Sequence, residues 1–336
     1  MKRAAIRFWP VRSFGATFTL KVAKSTSRGS DILPPLKAIN NIFDKLIFVV
    51  TKVSEKIILY YKFVPVADPD ITMRWQKELC SNLELKGRIV VSKDGINGTL
   101  GGSVKNLNAY KRAMKDSGTF KGIKYKWSEG SASDFPKLSV KVRDELVTLS
   151  PDDEFDVFDQ GKPLSPKEWN EFLISNPDAT LLDARNDYES DIGSFRGAIK
   201  PKIKTFKEIQ TQLDKLPKDK PVLTYCTGDI RCEYLSAYMK HKGFSDVYHL
   251  DGGIVKYGQE FGDDGFWEGK CYVFDRRMNI EFSSGSKDIA KCVHCQTATS
   301  RQGNCTRPDC HKQTVMCQNC SQKYDAVCAE CTAVKL

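Results

Sequence analysis

The sequence has no long hydrophobic run. Its apolar stretches LIFVV (46–50) and IILYY (57–61) have the length of strands, whereas a membrane-spanning helix needs about 20 apolar residues. We therefore expect no membrane partner. An Ala-x-Ala cleavage site after an apolar segment is also absent, which argues against a secretory signal. Without secretion, a disulfide framework is not expected for the twelve cysteines, and metal binding explains most of them better.

Acidic residues are missing from the first 30 positions, which contain seven Lys or Arg. A basic, Ser/Thr-containing and acid-free segment is typical of a mitochondrial-type transit peptide. We therefore interpret residues 1–55 as presequence and linker, with a short helix near 37–50. A mitochondrial location is expected, with plastid and cytoplasm as alternatives. Residues 1–60 carry a charge of +8 out of the total of +10, so overall basicity is weak evidence for a nucleic-acid partner.

Residues 56–150 predict an α+β domain. The stretch KIILYYKFVPV predicts a strand, and DPDITMRWQKELCSNL predicts a helix with Asp68 as N-cap and Pro69 in the first turn. A strand (KGRIVVS), a Gly-rich hairpin (KDGINGTLGG), a helix capped by Ser103 and further strands follow. In the hairpin, Asp94-Gly95 and Asn97-Gly98 are turn dipeptides. The order β-α-β-β-α-β is that of a ferredoxin-like (split βαβ, acylphosphatase-like) domain.

Residues 163–262 predict a second, α/β domain after a polar linker, SPDDEFDVFDQGKPLSP. Short apolar strands alternate there with amphipathic helical segments such as PKEWNEFLISN and FKEIQTQLDKL, which indicates a parallel sheet covered on both faces. Residues 263–290 are expected to form a connector, and residues 291–336 a Cys-rich tail too small and polar to fold without a staple. The fold class is therefore multi-domain α/β.

The tail contains eight cysteines in four pairs. They are Cys292 and Cys295, Cys305 and Cys310, Cys317 and Cys320, and Cys328 and Cys331. This number and spacing predict two structural zinc sites with four cysteine ligands each. Sequential and interleaved pairing of the four pairs are both possible. His294 and His311 lie beside ligands and could substitute for one of them.

The stretch YCTGDIRCE (225–233) indicates a reactive thiol. Cys226 ends a predicted strand, and a helix is expected to begin at about Arg231 or Cys232. Ligands in open α/β sheets bind at the carboxyl ends of strands. The loop N–H groups and the helix dipole should lower the pKa of the thiol, so Cys226 is expected to be a nucleophile or a persulfide carrier. The active loop comprises Cys226, Thr227, Gly228, Asp229, Ile230 and Arg231.

Several stretches together resemble one known family. LLDARNDYESDIGSFRGAIKP and GFSDVYHLDGGIVKYG flank Cys226 as the signature stretches of a rhodanese domain do. With KDGINGTLGG upstream, YCTGDIRCE in the loop, GFWEGKCYVFDRRM downstream and the Cys-rich tail, the chain resembles the rhodanese-domain tRNA uridine(34) hydroxylases from about residue 56 to 331. The resemblance implies a central rhodanese-like domain and oxygen-dependent hydroxylation of the wobble uridine at C5 of its base, in the anticodon region of tRNA. It implies Cys226 as the essential residue, with dioxygen as co-substrate. The sequence contains no flavin or haem motif.

Two positions near Cys226 have open roles. The resemblance implies Gly where this chain has Asp229, and Gly favours a positive φ more than Asp does. A carboxylate pointing into the loop would raise the pKa of the thiol, whereas one pointing to solvent would change little. Cys232, which the family shares, could resolve an oxidised Cys226 as a disulfide, or could simply pack in the first turn of the helix.

Other residues near the loop in sequence have structural interpretations. Asp183 and Arg185 belong to the rhodanese signature, and Arg185 is expected to pair with Glu189 across one helical turn. Gly252 and Gly253 indicate a tight turn near the loop. No partner for a catalytic triad is visible for His241 or His249, so neither is assigned as a catalytic base.

Basic side chains in two regions are candidates for RNA contact. The first group flanks the predicted hairpin and the second lies in the tail: Lys86, Arg88 and Lys93; Lys291, Arg301, Arg307 and Lys312. The hairpin glycines have an equally good interpretation as turn residues.

The main alternative function is thiosulfate or persulfide sulfur transfer through a Cys226 persulfide. A loop of six residues from Cys226 to Arg231 has the size of sulfur-handling rhodanese loops and argues against a phosphatase. A zinc-stapled RNA-binding factor with an inactive loop is a further alternative, because Asp229 departs from the family pattern.

Overall fold

The computed structural model describes residues 54–149 and 154–333, together with the backbone of a small hairpin, β1 (Val11–Ser13) and β2 (Ala16–Phe18). Apart from this hairpin, the predicted transit segment lies outside the described residues, as does the helix expected near 37–50. None of the helices in the described part of the chain combines the length and apolar character needed to cross a bilayer.

The first domain contains a five-stranded sheet. Its elements are β3 (Glu55–Phe63), α1 (Pro69–Asn82), β4 (Lys86–Ser92), β5 (Gly95–Ser103), α2 (Val104–Asp116), β6 (Lys126–Glu129) and β7 (Leu138–Val142). The strand order is β6-β3-β5-β4-β7, antiparallel except for the parallel pair β4 and β7. The predicted ferredoxin-like order is confirmed, with β7 added at one edge.

Local signals for the two helices are confirmed. Asp68 accepts a hydrogen bond from the N–H of Ile71 at 2.9 Å, and Ser103 accepts one from the N–H of Asn106 at 3.1 Å. The prediction of two turns in KDGINGTLGG is wrong at one of them. Asn97-Gly98 lies inside β5, paired with β3 and β4, because the preceding turn at Lys93 and Asp94 already reverses the chain.

Strand β3 divides its side chains between two environments, as the two-residue period of a strand requires. Ile58 and Tyr60 are buried against α1 and α2. Ile57, Leu59 and Tyr61 point to the opposite face and line a cavity. The helices therefore cover one face of the sheet, and the other face is available to the second domain.

The second domain contains a parallel sheet of order β8-β12-β11-β9. Its elements are β8 (Lys162–Leu164), α3 (Pro166–Ser175), β9 (Thr180–Asp183), α4 (Asp187–Ser190), β10 (Gly193–Phe195), α5 (Gln210–Leu213), β11 (Val222–Tyr225), α6 (Ile230–His241), β12 (Val247–Leu250) and α7 (Gly253–Phe261). Trp169, Leu223 and Tyr257 belong to a core on one face, and Val222 and Leu235 to a core on the other. The prediction of a doubly covered parallel sheet is confirmed.

Two assignments at the edges of this domain are wrong. Residues 162–164, expected in the linker, form β8, because they find a backbone partner in β12. The segment FKEIQTQLDKL is not one amphipathic helix. It begins as a 3-10 turn at Phe206–Ile209 and continues only through α5, with Phe206, Ile209 and Leu213 buried.

The predicted connector and tail contain short strands. In the connector, β13 (Trp267–Gly269) pairs with β10, and β14 (Cys271–Tyr272) pairs with β15 (Asn279–Ile280). The tail contains β16 (Gln302–Asn304), β17 (Gln313–Val315), α8 (Gln318–Lys323) and α9 (Ala329–Ala333). The strand β13 joins the second domain, so the connector is part of the folded body.

Candidate active site

Cys226 lies at the carboxyl end of β11, where the sequence predicts it. Helix α6 begins at Ile230, slightly earlier than expected. Cys226 is 1% exposed and accepts a hydrogen bond from the backbone N–H of Asp229, with 3.2 Å between nitrogen and sulfur. The backbone of the loop therefore folds back so that one of its own N–H groups contacts the Cys226 sulfur.

The pKa of Cys226 results from opposing influences. Burial raises it, and the Asp229 carboxylate adds to this. A hydrogen bond from the thiol of Cys232, the guanidinium of Arg231 and the backbone N–H of Gly228 outweigh these effects and lower the pKa to about 6. The thiolate is therefore the dominant form of Cys226 at pH 7, which makes it a nucleophile.

Arg231 is directed inward by an ion pair. Its two terminal nitrogens donate to the two carboxylate oxygens of Glu189 at 2.6 and 2.7 Å. The expected pair of Arg185 with the Glu189 carboxylate is therefore wrong. Arg185 instead pairs with Asp183, its Nη2 lying 2.6 Å from the carboxylate, because the short turn after β9 brings these two side chains together.

Asp229 does not point to solvent, and its carboxylate raises the pKa of the Cys226 thiol, as expected for an inward orientation. It is fully buried, with φ of 84°. Oδ1 lies 2.8 Å from Nδ1 of His249, and Oδ2 accepts the N–H of Gly252 at 3.1 Å. Two hydrogen bonds thus hold a non-glycine residue in a strained backbone conformation.

His249 has the carboxylate partner that the sequence did not reveal. It is buried on β12 beside Asp229 and Glu233. Burial lowers the pKa of His249, but the neighbouring Asp229 carboxylate and its hydrogen bond raise it above the ordinary value. His249 is therefore paired with Asp229 inside the protein and is not among the residues that line the cavity. His241 is exposed at the end of α6.

Cys232 is fully buried in the first turn of α6. Burial and its hydrogen bond to Cys226 raise the pKa of its thiol, so it stays protonated and donates to the Cys226 thiolate. The packed position is one of the two alternatives that the sequence offered; the role of Cys232 as a resolving thiol stays a prediction.

The first turn of α7 packs directly on the active loop. The N–H groups of Ile254 and Val255 donate to the carbonyls of Cys226 and Thr227 at 3.0 and 3.1 Å. Gly253 has φ of 67°, and a Cβ there would lie 2.6 Å from the Cys226 carbonyl oxygen. The predicted tight turn thus requires glycine at this position.

Cys226 opens into a cavity of about 340 Å³ between the two domains and the connector. The first domain contributes Ile57, Leu59, Tyr61, Arg88, Val90, Asn97, Thr99, Lys126 and Ser128; the loop and α6 contribute Thr227, Gly228, Ile230 and Arg231; the connector contributes Val273, Phe274, Asp275, Arg277 and Ile280. Its volume lies within the range of ligand sites, roughly 300–1,000 Å³.

Sequence reasoning missed most of the residues that build this cavity. Lys126, Tyr61 and Asn97 are far from Cys226 in the chain and come to it only through the packing of two domains. Arg277 lies in GFWEGKCYVFDRRM and Asn97 in KDGINGTLGG, two of the stretches quoted for the resemblance, which were the available signals. The remaining contacts carry no local sequence pattern.

The candidate RNA-contacting residues are spread over the surface. Arg88 lines the cavity, and Arg301 lines an adjoining groove together with Arg276 and Arg277. Lys86 and Lys93 are exposed but do not line the cavity. Two tail residues form ion pairs, Arg307 with Asp309 and Lys312 with Glu330, and Lys291 lines a separate groove.

The eight tail cysteines form two clusters that could each hold a metal ion. Cys292, Cys295, Cys317 and Cys320 form the first, and Cys305, Cys310, Cys328 and Cys331 the second. Within each cluster all four sulfur atoms lie within 4.8 Å of one another. Of the two pairings the sequence left open, the interleaved one is found. His294 is not in either cluster and contacts the carbonyl of Val327 at 2.9 Å; His311 is likewise outside both.

These features define a rhodanese-fold protein with an acylphosphatase-like domain in front of it and a Cys-rich region behind it. Three family matches agree. Residues 55–146 match the UPF0176 acylphosphatase like domain, residues 165–260 the Rhodanese-like domain, and residues 268–332 the family described as Rhodanase C-terminal.

Comparison with curated proteins is more specific. The tRNA uridine(34) hydroxylase of Corynebacterium urealyticum is 46% identical over 288 residues, covering 83% of this chain and 97% of that protein. Those of Corynebacterium jeikeium and Pseudarthrobacter chlorophenolicus are 44% and 45% identical, covering 83% and 79% of this chain and 94% of each relative. This chain belongs to the tRNA uridine(34) hydroxylase family. A solved rhodanese-like domain protein of Staphylococcus aureus is 22% identical, with a TM-score of 0.26, covering 29% of this chain and 90% of that one.

Proposed function

We propose that this protein hydroxylates uridine 34 of tRNA at C5 of the base, with Cys226 as the catalytic nucleophile. The observation that carries the proposal is the position of the Cys226 thiolate at the floor of a cavity walled by two domains and the connector. A small inorganic sulfur donor would need only the loop. A nucleobase needs the additional walls.

The cavity has features that suit a flipped-out pyrimidine. Asn97 offers both a donor and an acceptor, as the edge of uracil does, and Thr99 and Ser128 add hydroxyl groups. Phe274 is 45% exposed at the cavity, although an aromatic ring of this size is normally covered. Aromatic faces of this kind stack single-stranded bases.

The first chemical step follows from the thiolate. Its sulfur forms a bond to C6 of uracil, and the C5–C6 π electrons move to C5 and the C4 carbonyl as an enolate. C5 thereby becomes nucleophilic toward an oxygen species. Departure of sulfur from C6 together with the proton on C5 restores the double bond and regenerates the thiolate.

Dioxygen is the proposed source of the inserted oxygen. One oxygen atom enters the C5–H bond, and the other becomes water with two electrons and two protons. We assign these to an external thiol reductant, since oxidation of two thiols to a disulfide supplies both. The overall conversion is uridine, O₂ and two thiols to 5-hydroxyuridine, water and a disulfide.

The groove next to the cavity fits the RNA backbone. Arg276, Arg277 and Arg301 line it, with Lys270 and Asp288. Arg277 also lines the cavity, so the groove and the base site are continuous. Arg276 donates to the carbonyl of Ser133 at 3.2 Å, and Arg301 to that of Met316 at 3.2 Å. Carbonyl contacts orient a guanidinium without neutralising its charge, which leaves it available to phosphates.

We propose that both cysteine clusters bind zinc with a structural role. Zn–S bonds of about 2.3 Å in a tetrahedron separate the sulfur atoms by about 3.8 Å. The sulfur atoms of Cys295 and Cys317 lie 3.7 Å apart, and those of Cys310 and Cys328 3.9 Å apart. Metal analysis should give two zinc ions per chain, and one in a Cys317→Ser variant. An unchanged zinc content in that variant would contradict the assignment.

Sulfur transfer remains the second candidate, since residues 165–260 match a rhodanese-like domain and a persulfide on Cys226 would occupy the same N–H cradle.

We further propose a mitochondrial location from the acid-free basic N-terminus. A reporter fused to residues 1–55 should enter mitochondria, and a reporter in the plastid or cytoplasm would contradict this.

The test is nucleoside mass spectrometry of tRNA incubated in air with the protein and a thiol. The wild type should add one oxygen to uridine, and Cys226→Ser should add none. Oxygen addition by Cys226→Ser would refute the catalytic role of Cys226. Cyanide-released sulfur from the wild type, with no tRNA product, would favour sulfur transfer instead.

A further inference from the structure

One peptide unit of the active loop is held from both ends. The carbonyl oxygen of Gly228 accepts a hydrogen bond from Nζ of Lys126, which belongs to β6 of the first domain. The N–H of the same peptide unit is that of Asp229, and it donates to the sulfur of Cys226 at 3.2 Å. An ammonium group and a thiolate therefore lie at opposite ends of one peptide dipole.

Lys126 is fixed in this position by its surroundings. It is half-buried, and its Nζ lies 4.8 Å from the centre of the Tyr61 ring. Tyr61 in turn donates to Glu233 at 2.7 Å. Desolvation lowers the pKa of Lys126, while Asp229, Cys226 and Glu233 oppose that shift. Desolvation outweighs these three neighbours, so the pKa of Lys126 lies below its ordinary value.

The peptide unit needs such an anchor. Asp229 has φ of 84°, a backbone conformation that is strained for a residue with a side chain. If the peptide rotated, the Gly228 carbonyl oxygen would approach the sulfur and the stabilising N–H would be lost. His249 and Gly252 also anchor Asp229, but they contact its carboxylate and do not hold the Gly228 carbonyl.

We propose that Lys126 is a positioning residue of the active loop, through which the first domain holds the peptide between Gly228 and Asp229 with its N–H directed at Cys226. Packing of the first domain against the loop then also orients the N–H that stabilises the Cys226 thiolate. Leu59 supports the arrangement from the same sheet, because a Cβ on Gly228 would lie 2.6 Å from its Cδ2 atom. The first domain thus acts on the loop as well as on the substrate.

The test measures the thiolate directly. Full-length protein is alkylated with iodoacetamide from pH 4.5 to 9, and the Cys226 peptide is quantified by mass spectrometry. Several charged or titratable groups surround the sulfur and must stay unchanged: Arg231, Cys232, Asp229, Glu189, Glu233, Tyr61 and His249. The variants are Lys126→Met, Lys126→Gln and Lys126→Arg.

Lys126→Met and Lys126→Gln should shift the profile upward by about one pH unit, which lowers the alkylation rate at pH 5 about tenfold. Lys126→Arg, which keeps a cationic donor, should restore most of the rate. The matched control is Lys124→Met, two residues away with a side chain 84% exposed, and it should leave the profile unchanged.

An unshifted profile in either folded non-cationic variant overturns the proposal, as does an equal shift in Lys124→Met. Lys126→Gln, which is polar, covers the case in which Lys126→Met fails to fold. The readout requires neither tRNA nor oxygen. Its outcome is therefore independent of whether the protein hydroxylates uridine.

Discussion

Arg231 and Glu189 form a bidentate ion pair in which both side chains are almost completely enclosed, at 11% and 0% exposure. The pair joins the last residue of the active loop to the short helix after β9. It directs the guanidinium toward the Cys226 thiolate, which it stabilises. Glu189, which lies in the rhodanese signature stretch, therefore holds Arg231 in the position from which its charge stabilises the Cys226 thiolate.

Glu189→Gln should destabilise the fold by about 3–5 kcal/mol, because it leaves a buried guanidinium without its counter-charge. Urea unfolding measures the change. The control is Glu171→Gln, which breaks the exposed Lys167–Glu171 pair (77% and 63% exposed) and should cost less than about 1 kcal/mol. Equal effects of the two variants would show that the buried pair has no special role.

Activity should increase as the pH rises through about 6, because Cys226 reacts as the thiolate and the pKa of its thiol is about 6. The same lowered pKa links ionisation to stability. The contribution of ionised Cys226 to the stability of the fold is complete above the pKa of the unfolded thiol, about 8.5, and is lost as the pH falls through about 6.

Cys232→Ala should shift the alkylation profile of Cys226 to higher pH, because the hydrogen bond that Cys232 donates to the Cys226 thiolate is removed. A profile that stays at about 6 would contradict the role of Cys232.

Asp229→Gly should lower the pKa of Cys226, because the carboxylate raises it. Alkylation at pH 5 should therefore be faster than in the wild type. The variant also removes the partner of buried His249, whose raised pKa contributes stability that is present below the unfolded pKa and lost as pH rises through the folded value. Relief of the strained φ of 84° acts equally at every pH, so the expected result is a weaker loss of stability as the pH rises from 6 than in the wild type. Slower alkylation would mean that Asp229 activates the thiol.

Arg301→Gln and Arg276→Gln should weaken tRNA binding, because both residues line the groove beside the cavity. Each lost phosphate contact should reduce the slope of log K against log salt by about 0.7–0.9. Fluorescence titration at several salt concentrations measures this. Lys167→Gln, on α3, removes a charge away from the groove and should leave the slope unchanged. An unchanged slope in both arginine variants would exclude the groove as the binding surface.

The sequence predicted the elements near Cys226 well because its signals there are local. A strand, a Gly-containing loop and a helix follow one another there. In the first domain, Asp68 and Ser103 are equally local signals, since each caps the helix that follows it. The partners of charged residues were predicted poorly. Arg185 had two carboxylates within reach, and Asp183 and Glu189 could be distinguished only by the turn after β9. Strand β8 was missed because three polar-flanked residues need β12 beside them to become a strand.

The cavity walls were beyond sequence reasoning for a different reason. Lys126 and Cys226 are 100 positions apart, and their proximity depends on how two domains pack. The same limit applied to the metal clusters, where the spacing predicted the ligands and the fold decided their pairing. The direction of Asp229 likewise depended on His249, which lies on another strand.

The measurement that tests the central claim most directly is oxygen labelling at position 34. The protein, a thiol and tRNA are incubated under ¹⁸O₂, and the anticodon nucleoside is analysed by mass spectrometry. We expect 5-hydroxyuridine carrying ¹⁸O with the wild type and unmodified uridine with Cys226→Ser. Product carrying only ¹⁶O from water, or equal labelling with Cys226→Ser, would contradict the proposed function.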